Sequence, residues 1–158
     1  MIAVNIEQKL TELGHILPSI PPSKGVYKST LEVGNLLYTS GHVSINTDGS
    51  FITGKCGNDV SDEEARRAAQ QCGLAILASI KKHFGSLDRI KRVVKILGMV
   101  NAVPDYTKHA IVINGCSDLF VQLWGDDNGK GVRSAVGMGS LPNNVAVEIE
   151  AIFEFQST

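Results

Sequence analysis

The sequence predicts an α+β domain, a mixed sheet covered on one face by two main helices. Three observations predict it. Residues 61–84 carry apolar side chains at helical spacing, residues 90–99 and 145–155 read as strands, and a second helical pattern at 107–124 lies between those strands. The order is then helix, strands, long helix, strand, helix, two strands.

The elements follow in turn. Residues 6–13 form a short amphipathic helix, with Ile6, Leu10 and Leu13 on one stripe, Asn5 as N-cap and Gly14 just past the end. Pro18, Pro21 and Pro22 forbid regular structure in the next segment, which is an extended arm laid on the domain. Residues 26–33 and 36–40 read as two strands joined at Gly34-Asn35, a two-residue hairpin turn. Residues 51–53 continue the sheet. In the long helix Ser61 and Glu64 have capping-box spacing, Asp62 and Glu63 suit the positive N-terminus, and Lys81, Lys82 and His83 suit the other end. Its buried stripe is Ala65, Ala68, Ala69, Cys72, Ile76 and Ile80. The second helix is weakened by Gly115, and residues 126–131 read as a polar loop. The final strands are 133–139 and 145–155. Residues 1–158 make a single domain, with the helix and proline-rich arm occupying residues 1–23.

Composition narrows the function. Apolar residues are 43% and charged residues 20%, a globular balance rather than a disordered one. With 15 Lys+Arg against 16 Asp+Glu, no basic surplus points to nucleic acid. No segment is long and apolar enough for a membrane span, and the N-terminus lacks signal-peptide character. Three cysteines without a CxxC pair fit free thiols in a cytoplasmic protein. The four histidines show no metal-ligand spacing, and no phosphate loop, dinucleotide fingerprint or nucleophile elbow appears.

The chemistry concentrates in residues 131–155. Arg133 heads one strand, and Glu148 and Glu150 interrupt the apolar run of the next. By parity Val145, Val147, Ile149, Ala151, Phe153 and Phe155 face the helices. Ala146, Glu148, Glu150, Ile152 and Glu154 face the other way, where Arg133, Ala135 and Gly137 are expected to supply facing groups. A strand arginine serves either as an ion-pair strut for these glutamates or as a fork for a ligand carboxylate.

Arg133-Ser134, Leu141-Pro142 and the run from Val147 to Ala151 resemble the C-terminal signature of the RidA/YjgF family, the reactive-intermediate imine deaminases that also carry the endoribonuclease L-PSP label. Ser40-Gly41, Tyr27 and Asn114 match weaker elements of the same pattern. The resemblance covers roughly residues 24–155. Gly131-Val132, Ala135 and His42 depart from the pattern. The resemblance implies a chorismate-mutase-like fold of the bacillus type and a homotrimer with ligand clefts between subunits. It implies hydrolysis of small 2-enamino or 2-imino acids to 2-keto acids and ammonia, without a cofactor or metal. Arg133 is then the carboxylate fork and Glu148 the group that handles water and protons. Tyr27, Ser40, Gly41 and Asn114 line the substrate site. A non-catalytic binder or sensor of 2-keto acids on the same trimer is the alternative. Cys116 reads as a buried small apolar residue and Glu150 as structural.

Overall fold

A computed structural model describes residues 5–158. Residues 1–4, the start of the segment expected to lack signal-peptide character, lie outside the described residues. The chain runs through α1 (Ile6–Glu12), β1 (Thr30–Val33), β2 (Leu36–Thr39), β3 (His42–Val43), α2 (Asp62–Phe84), β4 (Ile90–Asn101), α3 (His109–Gly129), β5 (Val132–Met138) and β6 (Val147–Phe155). The sheet order is β1-β2-β6-β4-β5, with β3 also paired to β6. Only β4 and β5 are parallel, joined by α3 as the crossover helix. Helices α2 and α3 pack on each other and on one sheet face.

Local sequence explains these elements. The Asn5 side chain accepts the Gln8 N–H and starts α1, whose Ile6 and Leu10 are buried. The capping box at α2 is complete. The Ser61 hydroxyl accepts the Glu64 N–H at 3.1 Å, and the Glu64 carboxylate accepts the Ser61 N–H at 2.9 Å. Such a cap is worth about 1 kcal/mol. The predicted α2 stripe is buried throughout. Gly115, read as a weakness in α3, has a packing reason. A Cβ there would overlap the Arg66 carbonyl oxygen of α2, so the glycine lets the two helices approach. One apolar cluster runs from Ile6 to Phe155 between the helices and the sheet.

The structure changes several expectations. The first strand begins at Thr30 rather than residue 26, because its partner runs out. Thr30 pairs with Thr39, the last residue of β2, and Val26 is fully exposed. Residues 51–53 form isolated bridges, Ile45 to Phe51 and Thr53 to Val145, rather than a strand. The expected loop at 126–131 is mostly helix. α3 kinks at Gly125 and continues to Gly129, with Asp126 and Lys130 paired at i,i+4 across the added turn. Ala146, expected on the open face, is buried, with its N–H bonded to Ile52 O just before β6 starts.

The largest correction concerns Arg133. The alternation of β6 is as predicted, with Ile149, Ala151 and Phe153 buried against the helices. However, Arg133 pairs with Ile96, and Ile96 pairs with Ala151. Ladder partners point to the same side of a sheet. Arg133, Ala135 and Gly137 therefore face the helices, and Glu148 faces away from them. The open side carries Glu148 and an apolar row in register across all five strands of the main order: Leu31, Tyr38, Ile152, Lys95 and Val132, with only the lysine charged.

Candidate functional site

Glu148 sits where β6 changes partner. β2 pairs with residues 152–154 of β6, whereas β3 pairs with residues 148–149. The Ser40-Gly41 step between β2 and β3 bridges the change and meets the Glu148 side chain. A Cβ on Gly41 would overlap the carboxylate, with Glu148 Cδ at 2.9 Å. Gly41 is thus a matter of space, as its φ lies outside the positive region. Glu148 is half-buried. Burial pushes its carboxyl pKa above the ordinary value, and the Glu150 charge adds to this, with no cation or hydrogen bond to offset either.

The Ser40-Gly41 step is held from several sides. Ser40 N–H donates to Ser29 O at 2.9 Å. Ser40 O accepts from the Thr39 hydroxyl at 3.0 Å and from His42 Nδ1 at 2.8 Å. A carbonyl can only accept, so Nδ1 carries a proton. His42 Nε2 then accepts the Ser79 hydroxyl at 2.7 Å in the neutral tautomer. Burial lowers the His42 pKa and favours that neutral form. His42 therefore ties the step carrying Gly41 to helix α2, a role that sequence reading left open.

A pocket of about 760 Å³ opens beside Glu148. Tyr27, Ser40, Gly41 and His42 line it, together with arm residues 20–25 and Phe51. Four predicted site residues, Tyr27, Ser40, Gly41 and Glu148, thus share one pocket. The arm and Phe51 were not foreseen as site residues. The prolines that hold the arm extended were visible, but not the wall it forms.

Arg133 and Asn114 lie elsewhere, on the helix side of edge strand β5. Arg133 Nη1 donates to Ser117 Oγ at 3.0 Å and Nη2 to Ala110 O at 3.1 Å. Ala110, Asn114 and Ser117 succeed one another by one helical turn, so Asn114 shares the face that the guanidinium crosses. Ser117 was missed, although its spacing from Asn114 was a usable signal. Among the described residues Arg133 pairs with no carboxylate, which removes the strut to Glu148 or Glu150. Glu154 instead takes Lys91 and Arg92. Cys56, Cys72 and Cys116 are all buried, and burial pushes their thiol pKa values up, so none is poised as a nucleophile. No group of three or more metal-ligating side chains occurs among the described residues.

Residues 7–152 match the family described as "YjgF/chorismate_mutase-like, putative endoribonuclease". The chain belongs to this family. It is 35% identical over 152 residues to Protein TCP17 of Trypanosoma cruzi, covering 96% of this chain and 95% of that protein. The crystal structure of Atu1372 from Agrobacterium tumefaciens, a protein of unknown function, is similar over 96% of this chain and 94% of that one, at 41% identity and a TM-score of 0.86. RidA from an Antarctic Psychrobacter is similar over 85% of this chain and 93% of that one, at 27% identity and a TM-score of 0.58. The mixed α+β architecture is that of the YjgF/chorismate mutase-like proteins. No helix among the described residues is long and apolar enough to cross a membrane.

Proposed function

We propose that this protein hydrolyses reactive 2-imino and 2-enamino acids to 2-keto acids and ammonia, in clefts between the copies of a cytoplasmic homotrimer. The observation that carries this reading is the Glu148 carboxylate. It is half-buried, raised in pKa, and without a partner in a pocket that also presents Ser40, Gly41 and Tyr27. A carboxylate whose pKa is raised in this way is a better proton acceptor and donor to water than an ordinary one. Glu148 takes a proton from water as the water oxygen bonds to the C=N carbon. It returns that proton to nitrogen, the C–N bond breaks, and ammonia leaves. The remaining hydroxyl proton ends on the leaving group, so the carboxylate is regenerated.

Arg133 supplies the carboxylate fork from a second copy. Support comes from its position on an edge strand, its lack of an anionic partner, and the opposite-face relation to Glu148 within one chain. The apolar row Leu31, Tyr38, Ile152 and Val132 gives a second copy a surface to cover. Asn114, beside Arg133, is then a substrate contact from the same side. No cofactor enters this chemistry.

The test is keto-acid formation from freshly generated 2-aminoacrylate and related imines. Catalysed hydrolysis that is lost in Arg133→Ala and in Glu148→Gln is expected. Background rates on every imine tried would end the deaminase reading.

A further inference from the structure

The pocket beside Glu148 is much larger than a three-carbon imino acid requires. In the single chain its roughly 760 Å³, open to solvent, leaves room beyond a three-carbon imino acid before a second copy contributes Arg133. Its lining is mostly apolar, with Ile20, Pro21 and Pro22 from the arm and Ile45 and Phe51 from the body, among a few polar side chains such as Ser29 and Asn143. Phe51 and Tyr27 are 41% and 56% exposed, large rings with unfilled surface turned toward the pocket. The cation on the lining is Lys24, on the exposed arm, and the carboxylate is Glu148 itself. One exposed lysine is a weak anchor for an acidic side chain, because an exposed ion pair contributes little.

We propose that this chamber receives the substrate's side chain, and that the site is built for 2-imino acids with a bulky apolar side chain, branched or aromatic. This inference rests on the deaminase reading. The C=N carbon lies at the Gly41 end near Glu148, its carboxylate points to Arg133 of a second copy, and the side chain runs under the arm toward Phe51. A three-carbon imine leaves the chamber filled with water and gains nothing from its walls. Each additional buried methylene is worth on the order of tenfold or more in discrimination.

The experiment generates imines in situ with an amino-acid oxidase from alanine, leucine, phenylalanine and glutamate, and follows their loss with and without the protein. The leucine and phenylalanine imines are expected to show kcat/KM at least about tenfold above the alanine imine. Ile20→Ser and Phe51→Ser, both at partly or well exposed positions, should bring that ratio down toward one. An alanine or glutamate imine turned over as fast as the bulky ones, or variants that slow all imines equally, would overturn the inference and leave the deaminase reading standing. If no imine is hydrolysed, that reading fails, and calorimetry with 2-keto acids decides the chamber separately. Tighter binding of 4-methyl-2-oxopentanoate than of pyruvate, lost in Phe51→Ser, upholds it, and equal or absent binding removes it.

Discussion

Gly41→Ala tests whether the position of the Glu148 carboxylate matters. The φ of Gly41 is not positive, so the backbone accepts alanine without strain. The added methyl cannot be accepted where Glu148 now lies. It would overlap Oε1 and stand 2.9 Å from Cδ and 3.2 Å from Cγ. Carbon atoms rest at about 3.5–4.0 Å, so the carboxylate must retreat by roughly 1 Å. The step itself is held by Ser29, Thr39 and His42 and has little room to yield. A displacement of that size at a reacting group costs about 100-fold in rate, or about 2.7 kcal/mol of transition-state stabilisation. Stability should change little, because the atoms displaced are the far end of a flexible side chain. The assay is steady-state imine hydrolysis beside a thermal melt. A folded Gly41→Ala protein with wild-type kcat would refute the argument, because the catalytic carboxylate would then not be the one packed on Gly41. Glu148→Asp in the Gly41→Ala background shortens the acid and should regain part of the loss.

Three further outcomes are expected. His42 is neutral in the fold and its pKa is lowered, so its contribution to stability is complete above its ordinary value near 6.5 and is lost progressively as pH falls from there through its lowered value in the fold; melts from pH 7.5 to 5 should decline in the wild type and flatten in His42→Gln. Glu148 has the opposite sign, since its raised pKa means the acid limb of kcat/KM lies above the ordinary glutamate value of 4.5; a limb at or below 4.5 would dismiss the raised carboxyl as the catalytic group. Tyr38→Glu and Val132→Glu each put a charge on an exposed apolar row, and where the wild type sediments as the proposed trimer they should shift it to monomer, with a dimer or an unchanged trimer counting against that row as the contact surface.

The sequence made the helices and the apolar faces readable because each rests on one-dimensional periodicity. The α2 stripe from Ala65 to Ile80 and the buried set of β6 depend only on spacing within one element. The capping box is equally local. What failed was non-local. The face of Arg133 depends on which residue of β4 stands beside it, and register is fixed by pairing rather than by composition. One residue of slip would have turned Arg133 to the face of Glu148, in line with Glu150 through Leu97, and nothing in residues 131–139 alone excludes that. The arm is a similar case. Its prolines announce extended chain, but its role as a pocket wall arises from Leu17 packing on the core and the chain then crossing beside Phe51. The Gly41 requirement was also invisible, since it comes from a side chain more than a hundred residues away.

The opposite-face relation of Arg133 and Glu148 has an energetic logic. Each charge is only partly buried, and among the described residues neither is paired with an opposite charge. Placed on one face they would form an ion pair, and a ligand carboxylate would have to displace Glu148 before it could use the guanidinium. Separated by the sheet, the arginine stays pre-positioned by Ser117 Oγ and Ala110 O, and within one chain no cation stands beside Glu148 to offset the burial that raises its pKa. On the proposed reading the two meet when a second copy brings its edge strand to the pocket of the first. A site divided in this way has a consequence that a single-chain site lacks. Arg133→Ala chains and Glu148→Gln chains, each inactive alone, should regain activity when unfolded and reassembled together. In a ring of three copies with head-to-tail contacts, random mixing joins an intact Arg133 to an intact Glu148 at roughly a quarter of the interfaces. Activity near that fraction of wild type fits a shared site. None at all would mean that the two residues must act within one chain, which the register of β4, β5 and β6 does not allow, and the pairing of Arg133 with Glu148 in one reaction would have to be abandoned.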